Sequence, residues 1–97
     1  MNRFAQRLSI ALGLPAESIT SPSRTEDGHP LQPRRAMQAR QVLYYCARQS
    51  GESYGAIARD LGVSRYTVRC GAERVRNRLL TDVRLQVLVD EVLDERR

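Results

Sequence analysis

A run of hydrogen-bond donors occupies residues 64–69, "SRYTVR", in this 97-residue chain. An arginine can donate two parallel hydrogen bonds to a guanine edge or to a phosphate, and a hydroxyl group can donate one. Such residues at the start of a helix are typical of a segment that contacts base edges in the major groove of DNA. The candidate base-reading residues are Ser64, Arg65, Tyr66, Thr67 and Arg69.

Several of these positions allow more than one interpretation. Tyr66 or Thr67 could contact either a phosphate or a thymine methyl group. Glu73 could accept a hydrogen bond from cytosine, but its spacing of four residues from Arg69 favours an ion pair on one helix. The alternative for the whole segment is a plain helical hairpin on which Arg65 and Arg69 are only solvated.

Backbone contacts are expected beside the base-reading segment. Ser53 and Tyr54 begin the preceding helix, where free N–H groups can bind phosphate. Arg74 lies at the margin of the polar side of the following helix, within reach of the same backbone. These three residues are candidates for contacts to the DNA phosphates.

The segment "AIARDLGVSRYTVRC", residues 56–70, indicates how these side chains are positioned. Ala58 is small enough for a second helix to approach the first, and Gly62 can adopt the positive φ of a tight turn. Ser64 is a good N-cap for the helix that follows. The spacing predicts a helix-turn-helix over residues 54–80.

The rest of the chain also has helical periodicity. Phe4, Leu8 and Ala11 share one face of a helix over residues 2–12, and "PAESIT" predicts a single helical turn. Residues 21–34 contain three prolines and predict a loop. A helix over about 35–48 has Met37 and Val42 in its apolar pattern, and a last helix follows Thr81 or Asp82. We expect one all-α domain over 1–97, with five to six helices and a central helix-turn-helix.

Composition narrows the function classes. The net charge is +5, and all 16 basic residues are arginine, which favours a polyanionic partner. Cys46 and Cys70 are the two cysteines, and His29 is the single histidine, so we expect no metal, no cofactor and no enzyme activity. We find no signal peptide and no apolar run that could span a bilayer, which predicts a reduced, cytoplasmic protein without a membrane partner.

The order of these segments resembles the C-terminal DNA-binding domain of the bacterial replication initiator DnaA. The residues that carry the likeness are "FAQRLSIALGLPAESITSPSR", "ARQVLYYCAR", "SYGAIARDLG" and "TVRCGAERVRNRLLTD", over roughly residues 4–90. The resemblance implies that a basic loop follows the minor groove, which adds Arg24, Arg34, Arg35 and Arg40 to the candidates for DNA backbone contacts. The helix-turn-helix alone is also similar to sigma-factor region 4.

Departures from that family change the expected function. The family's base-reading "GRDHTTV" aligns with Gly62–Val68, in which the Arg-Asp-His triplet is absent while Thr67 and Val68 are retained, and no phosphate-binding Gly-Lys loop of an ATPase is found. The chain is similar to the DnaA-like half of the activators of gene transfer agents, which implies a promoter-binding activator with a sigma-like or RNA polymerase partner at the nucleoid. The alternatives are a replication or phage accessory protein that binds an origin, and a protein-interaction module.

The last helix has more apolar residues than one buried face requires. Its sequence "VRLQVLVDEVL", residues 83–93, contains seven valines and leucines. One part of this set is expected to cover the core against Phe4 and Leu8. The other part is available for a protein partner or for an oligomer of this chain.

Overall fold

The all-α prediction is confirmed by a computed structural model of the protein. The structure describes residues 2–13, Ile19 and 33–93, with side chains at positions 4–13, 19 and 37–93. Within these residues there are five helices and no strand. They are α1 (Asn2–Leu12), α2 (Pro33–Gln49), α3 (Tyr54–Leu61), α4 (Arg65–Arg78) and α5 (Val83–Leu93).

Short polar side chains begin three of the helices, as their sequences predict. Ser53 accepts a hydrogen bond from the N–H of Ala56 at the start of α3, at 3.1 Å. Ser64 does the same for α4, and Asp82 accepts from the N–H of Leu85 in α5 at 3.0 Å. Each cap satisfies one backbone donor that the first helical turn leaves free.

The predicted turn between α3 and α4 is present. Gly62 ends α3 with φ +69°, a left-handed conformation that glycine adopts without steric cost. Val63 and Ser64 complete the turn, and α4 begins at Arg65. The two helices of the predicted helix-turn-helix are therefore joined by three residues.

α2 is the central helix of the core. It packs against α1, α3, α4 and α5, and its contact with α4 is the most extensive. The core is built mostly from the inward faces of these helices. Its fully buried large side chains are Phe4, Leu8, Ile19, Leu43, Cys46, Ile57, Val68, Val75 and Val92.

Several predicted details are wrong. Ala11 is exposed because the buried face of α1 is centred between Phe4 and Ala5. Met37 is 48% exposed because it lies on the opposite side of α2 from Ala39 and Val42.

Two predicted helix boundaries also move. α2 begins at Pro33, which is favoured at a first helical position, so Arg34 lies in a helical turn rather than in the predicted loop. α4 ends at Arg78 rather than at Leu80. The rest of the predicted loop, 21–32, lies outside the described residues, and Ile19 is the described part of the predicted turn "PAESIT".

α5 covers part of the core with one of its faces. Its buried residues are Leu85, Val89 and Val92, and it packs on α1 and α2. A guanidinium nitrogen of Arg7 in α1 donates to the carbonyl oxygen of Val92 at 2.7 Å. The expectation that part of this helix covers the core is confirmed.

Candidate nucleic-acid interface

The first two turns of α4 carry the predicted base-reading residues on their exposed side. Arg65, Tyr66, Thr67 and Arg69 are all exposed, with Tyr66 at 73%, while Val68 is fully buried beneath them. The burial of Val68 fixes the rotation of the helix about its axis. Tyr66 and Arg69 therefore face away from the buried side of α4, with Arg65 and Thr67 at the two margins of the exposed side.

Ser64 and Thr67 are held by each other at the start of α4. The Ser64 hydroxyl accepts from the N–H of Thr67 at 3.1 Å, and the two hydroxyl oxygens are 2.8 Å apart. Ser64 therefore acts first as a helix cap, although both hydroxyl groups are exposed. The pair satisfies the backbone N–H of Thr67, which the first turn of α4 would otherwise leave free.

Arg69 forms the ion pair with Glu73 that their spacing favours. Its Nε lies 3.3 Å from a Glu73 carboxylate oxygen, and the two side chains are 62% and 53% exposed. An exposed pair at this spacing contributes only about 0.3–0.5 kcal/mol to stability. A ligand with a stronger acceptor can therefore displace Glu73 from Arg69 at small cost.

Arg65 lies at the junction of α3 and α4. A Cβ atom built on Gly55 would be 3.6 Å from Cδ and from Nε of Arg65, so the arginine stem passes directly over the first turn of α3. Ser53, the cap of that turn, is also exposed. Arg65, a predicted base-reading residue, therefore lies next to the turn that carries the predicted phosphate-binding residues Ser53 and Tyr54.

A cleft opens beside this junction, between the end of α2, the start of α3 and the middle of α4. Its volume is about 430 Å³. The Arg48 guanidinium carbon lies 5.2 Å from the centre of the Tyr54 ring, within the range of a cation–π contact. The lining residues are Tyr45, Arg48, Gln49, Gly51, Tyr54, Ala72, Glu73 and Arg76.

Arg48 and Arg76 are absent from the predicted set. Arg76 lies seven residues after Arg69, two helical turns along the same side of α4, and this spacing is visible in the sequence. The position of Arg48 depends on how the end of α2 folds back over Tyr54. No local pattern in the sequence contains that contact.

The predicted backbone-contacting arginines fall into three groups. Arg74 is exposed on α4. Arg40 is half-buried, and its Nε donates to the carbonyl oxygen of Ile19 at 3.1 Å, so it links α2 to Ile19. Arg24 lies outside the described residues, and Arg34 and Arg35 are described only as backbone in the first turn of α2.

Two tyrosines and one cysteine have a pKa raised above the ordinary value of the side chain. A hydrogen bond with the Cys70 thiol raises the pKa of Tyr66, so its phenol is a neutral donor at pH 7. Burial raises the pKa of the Cys46 thiol to about 12. Burial also raises the pKa of Tyr44, against an opposing effect of the Arg40 charge.

Neither a metal-binding cluster nor a membrane-spanning helix is found in the part of the chain that the structure describes. In it, no group of three His, Cys, Asp or Glu side chains could hold a metal ion. No helix in it is long and apolar enough to cross a membrane. Comparison with known proteins finds no matching family model, no matching curated protein and no matching solved structure.

Proposed function

We propose that this protein is a sequence-specific regulator of transcription that binds double-stranded DNA with the first half of α4 in the major groove. The observation that carries the proposal is the exposed row Arg65, Tyr66 and Arg69 on a helix whose opposite side is buried. The Gly62 turn and the Ser64 cap give this row a fixed position relative to α3. Rigid presentation of donors is what recognition of base edges requires.

Charge around the row supports the same function. α4 carries five arginines, Arg65, Arg69, Arg74, Arg76 and Arg78, and one acidic residue, Glu73. Arg78 is paired with Asp82 at 3.2 Å, and the other four arginines are exposed along the helix. Contacts from such residues to phosphates contribute affinity without sequence preference, which complements the base contacts.

Two groups share the role of holding the DNA backbone in this proposal. The first is the start of α3, where Ser53 and Tyr54 offer hydroxyl groups and N–H groups. The second is the rim of the cleft, with Arg48 and Arg76. Arg65 extends between the two sets and would contact a base edge from its tip while its stem lies over Gly55.

The proposal includes a biological role, the activation of transcription from a promoter. The resemblance to the DnaA C-terminal domain, with altered residues at the base-reading turn, supports a promoter-binding activator. Such a protein would work with a sigma-like protein or RNA polymerase at the nucleoid, in the cytoplasm. Binding to an origin is the competing role, and immunoprecipitation across the genome distinguishes the two by the position of the bound sites.

Selection of binding sites from random double-stranded DNA tests the proposal. We expect enrichment of one short motif, which is then used in fluorescence anisotropy. Arg69→Ala should weaken binding to that motif by about 5- to 150-fold, because a base contact is worth about 1–3 kcal/mol. Arg59→Ala is the matched control, since it removes the same charge from an exposed position in the last turn of α3, away from the cap at Ser53. No enriched motif, or equal losses for the two variants, would overturn the proposal.

A further inference from the structure

The exposed side of α5 carries an apolar stripe. Val83 is 75% exposed and Val87 is 54% exposed, and their spacing of four residues places them one turn apart on the same face. The opposite face is the one that covers the core through Leu85, Val89 and Val92. An 11-residue helix with apolar side chains on both faces has more contact surface than the folded monomer uses.

Polar residues border the stripe in a definite order. With about 3.6 residues per turn, Arg84 and Glu91 lie along one edge, two turns apart. Gln86 and Asp90 lie along the other edge, about one turn apart. All four are exposed, and among the described residues none of the three charged ones forms an ion pair with a neighbour.

We propose that this face binds the same face of a second copy of the protein, with the two α5 helices antiparallel. A two-fold axis beside Val87 brings Arg84 of each copy opposite Glu91 of the other. The same rotation brings Gln86 of each copy beside Asp90 of the other. Val87 of each copy meets Val87 of the other beside the axis, and every charged residue at the border gains a complementary neighbour.

The charge order selects this arrangement over a parallel one. In a parallel pair, the edge of one helix that carries Arg84 and Glu91 faces the edge of the other helix that carries Gln86 and Asp90. Glu91 of one copy would then lie beside Asp90 of the other, and Arg84 would face Gln86. Like charges facing each other destabilise an interface, whereas the antiparallel pair is complementary on both edges.

The size of the face sets the strength of the dimer. An 11-residue helix is about 16 Å long, and one such helix face buries less than the roughly 800 Å² per partner of a standard interface. The dimer is therefore weak in dilute solution and gains importance when two copies are held close together. α5 packs on α1 and α2, so the proposed dimer face is separate from the surface of α4 that carries the exposed donors.

Sedimentation equilibrium of the full chain without DNA tests the proposal, so the result does not depend on the proposed DNA binding. We expect a monomer–dimer equilibrium between micromolar and millimolar concentration at low salt. Arg84→Glu and Glu91→Arg should each weaken the dimer about tenfold, because each creates two like-charge pairs. The double variant Arg84→Glu/Glu91→Arg should restore the original affinity. A monomer at every concentration, or a double variant as weak as the single ones, would overturn the proposal.

Cross-linking gives a second, independent readout. In a Cys70→Ser background, Val87→Cys should form an intermolecular disulfide under mild oxidation, since the two-fold axis passes beside this position. Ile10→Cys is the control, because Ile10 is 84% exposed on α1 and lies outside the proposed face. Equal rates of cross-linking at the two positions would contradict the proposed interface.

Discussion

At the scale of single residues, Gly71 determines how closely α4 lies against α2. A Cβ atom at this position would be 2.7 Å from Cδ2 of Tyr44 and 3.2 Å from Cγ of Gln41. Tyr44 is itself buried, so its ring has little room to move away. The absence of a side chain at Gly71 is therefore a packing requirement at the centre of the fold.

Gly71→Ala should destabilise the protein by about 1–3 kcal/mol, because overpacking costs more than the helix propensity of alanine returns. Gly55→Ala is the matched control. Its Cβ would meet Arg65 at an ordinary 3.6 Å, and the same propensity should stabilise the protein by up to about 1 kcal/mol. Urea unfolding measures both variants, and equal stability of the two would contradict this account of α2 and α4.

The two cysteines should differ in reactivity. Cys46 is fully buried with a pKa raised to about 12, whereas Cys70 is half-buried at the surface of α4. At pH 9 an alkylating reagent should modify Cys70 first and reach Cys46 only in the unfolded chain, as mass spectrometry would show. Since the unfolded chain ionises Cys46 first, this group should also lower folding stability as the pH rises from about 9 toward 12. Equal native rates would contradict the burial of Cys46.

The base-reading role of Arg65 is also a prediction about a single residue. Arg65→Ala should cost about 1–3 kcal/mol at the selected DNA motif and much less on random DNA, because base contacts supply specificity. Arg74→Ala should weaken both kinds of DNA by similar factors, since phosphate contacts are independent of sequence. Competition binding measures both ratios. Equal losses on both DNAs for Arg65→Ala would assign that residue to the phosphate backbone.

At the scale of the helices, local signals predicted α3 and α4 well. Ser53, Gly62 and Ser64 act on backbone groups only a few residues away, so their effects are contained in the sequence. Met37 and Arg48 could not be placed in this way, because their surroundings depend on helices that pack from distant parts of the chain. The cleft beside Tyr54 could not be predicted for the same reason, because three helices form its walls. The exposed row on α4 could be predicted, because placing Val68 in the core fixes which side chains of the same helix face outward.

α5 provides a prediction that separates its two faces. Leu88 packs partly against the core, so Leu88→Asp should cost about 2–4 kcal/mol by forcing a carboxylate against apolar side chains. Val87→Asp changes the adjacent, exposed residue and should alter the stability of the monomer by less than about 0.5 kcal/mol. Thermal unfolding at low protein concentration measures both. Equal effects would show that α5 packs in a different rotation.

At the scale of the whole molecule, charge is divided between two surfaces. α4 carries five arginines against one glutamate, while α5 carries one arginine against two acidic residues, Asp90 and Glu91. The net charge of +5 is therefore concentrated near the exposed donors of α4. A polyanion should approach the protein from that side, with α5 left for a second protein.

The most direct measurement of the central claim is the salt dependence of DNA binding. If four or more arginines contact phosphates, the slope of log K against log salt should be about −3.6 or steeper. Fluorescence anisotropy with a short duplex gives this slope between low and moderate salt. We predict such a slope, together with tighter binding to the selected motif than to random DNA. A slope shallower than about −2, or no preference for any sequence, would contradict the account of α4 as a DNA-reading helix.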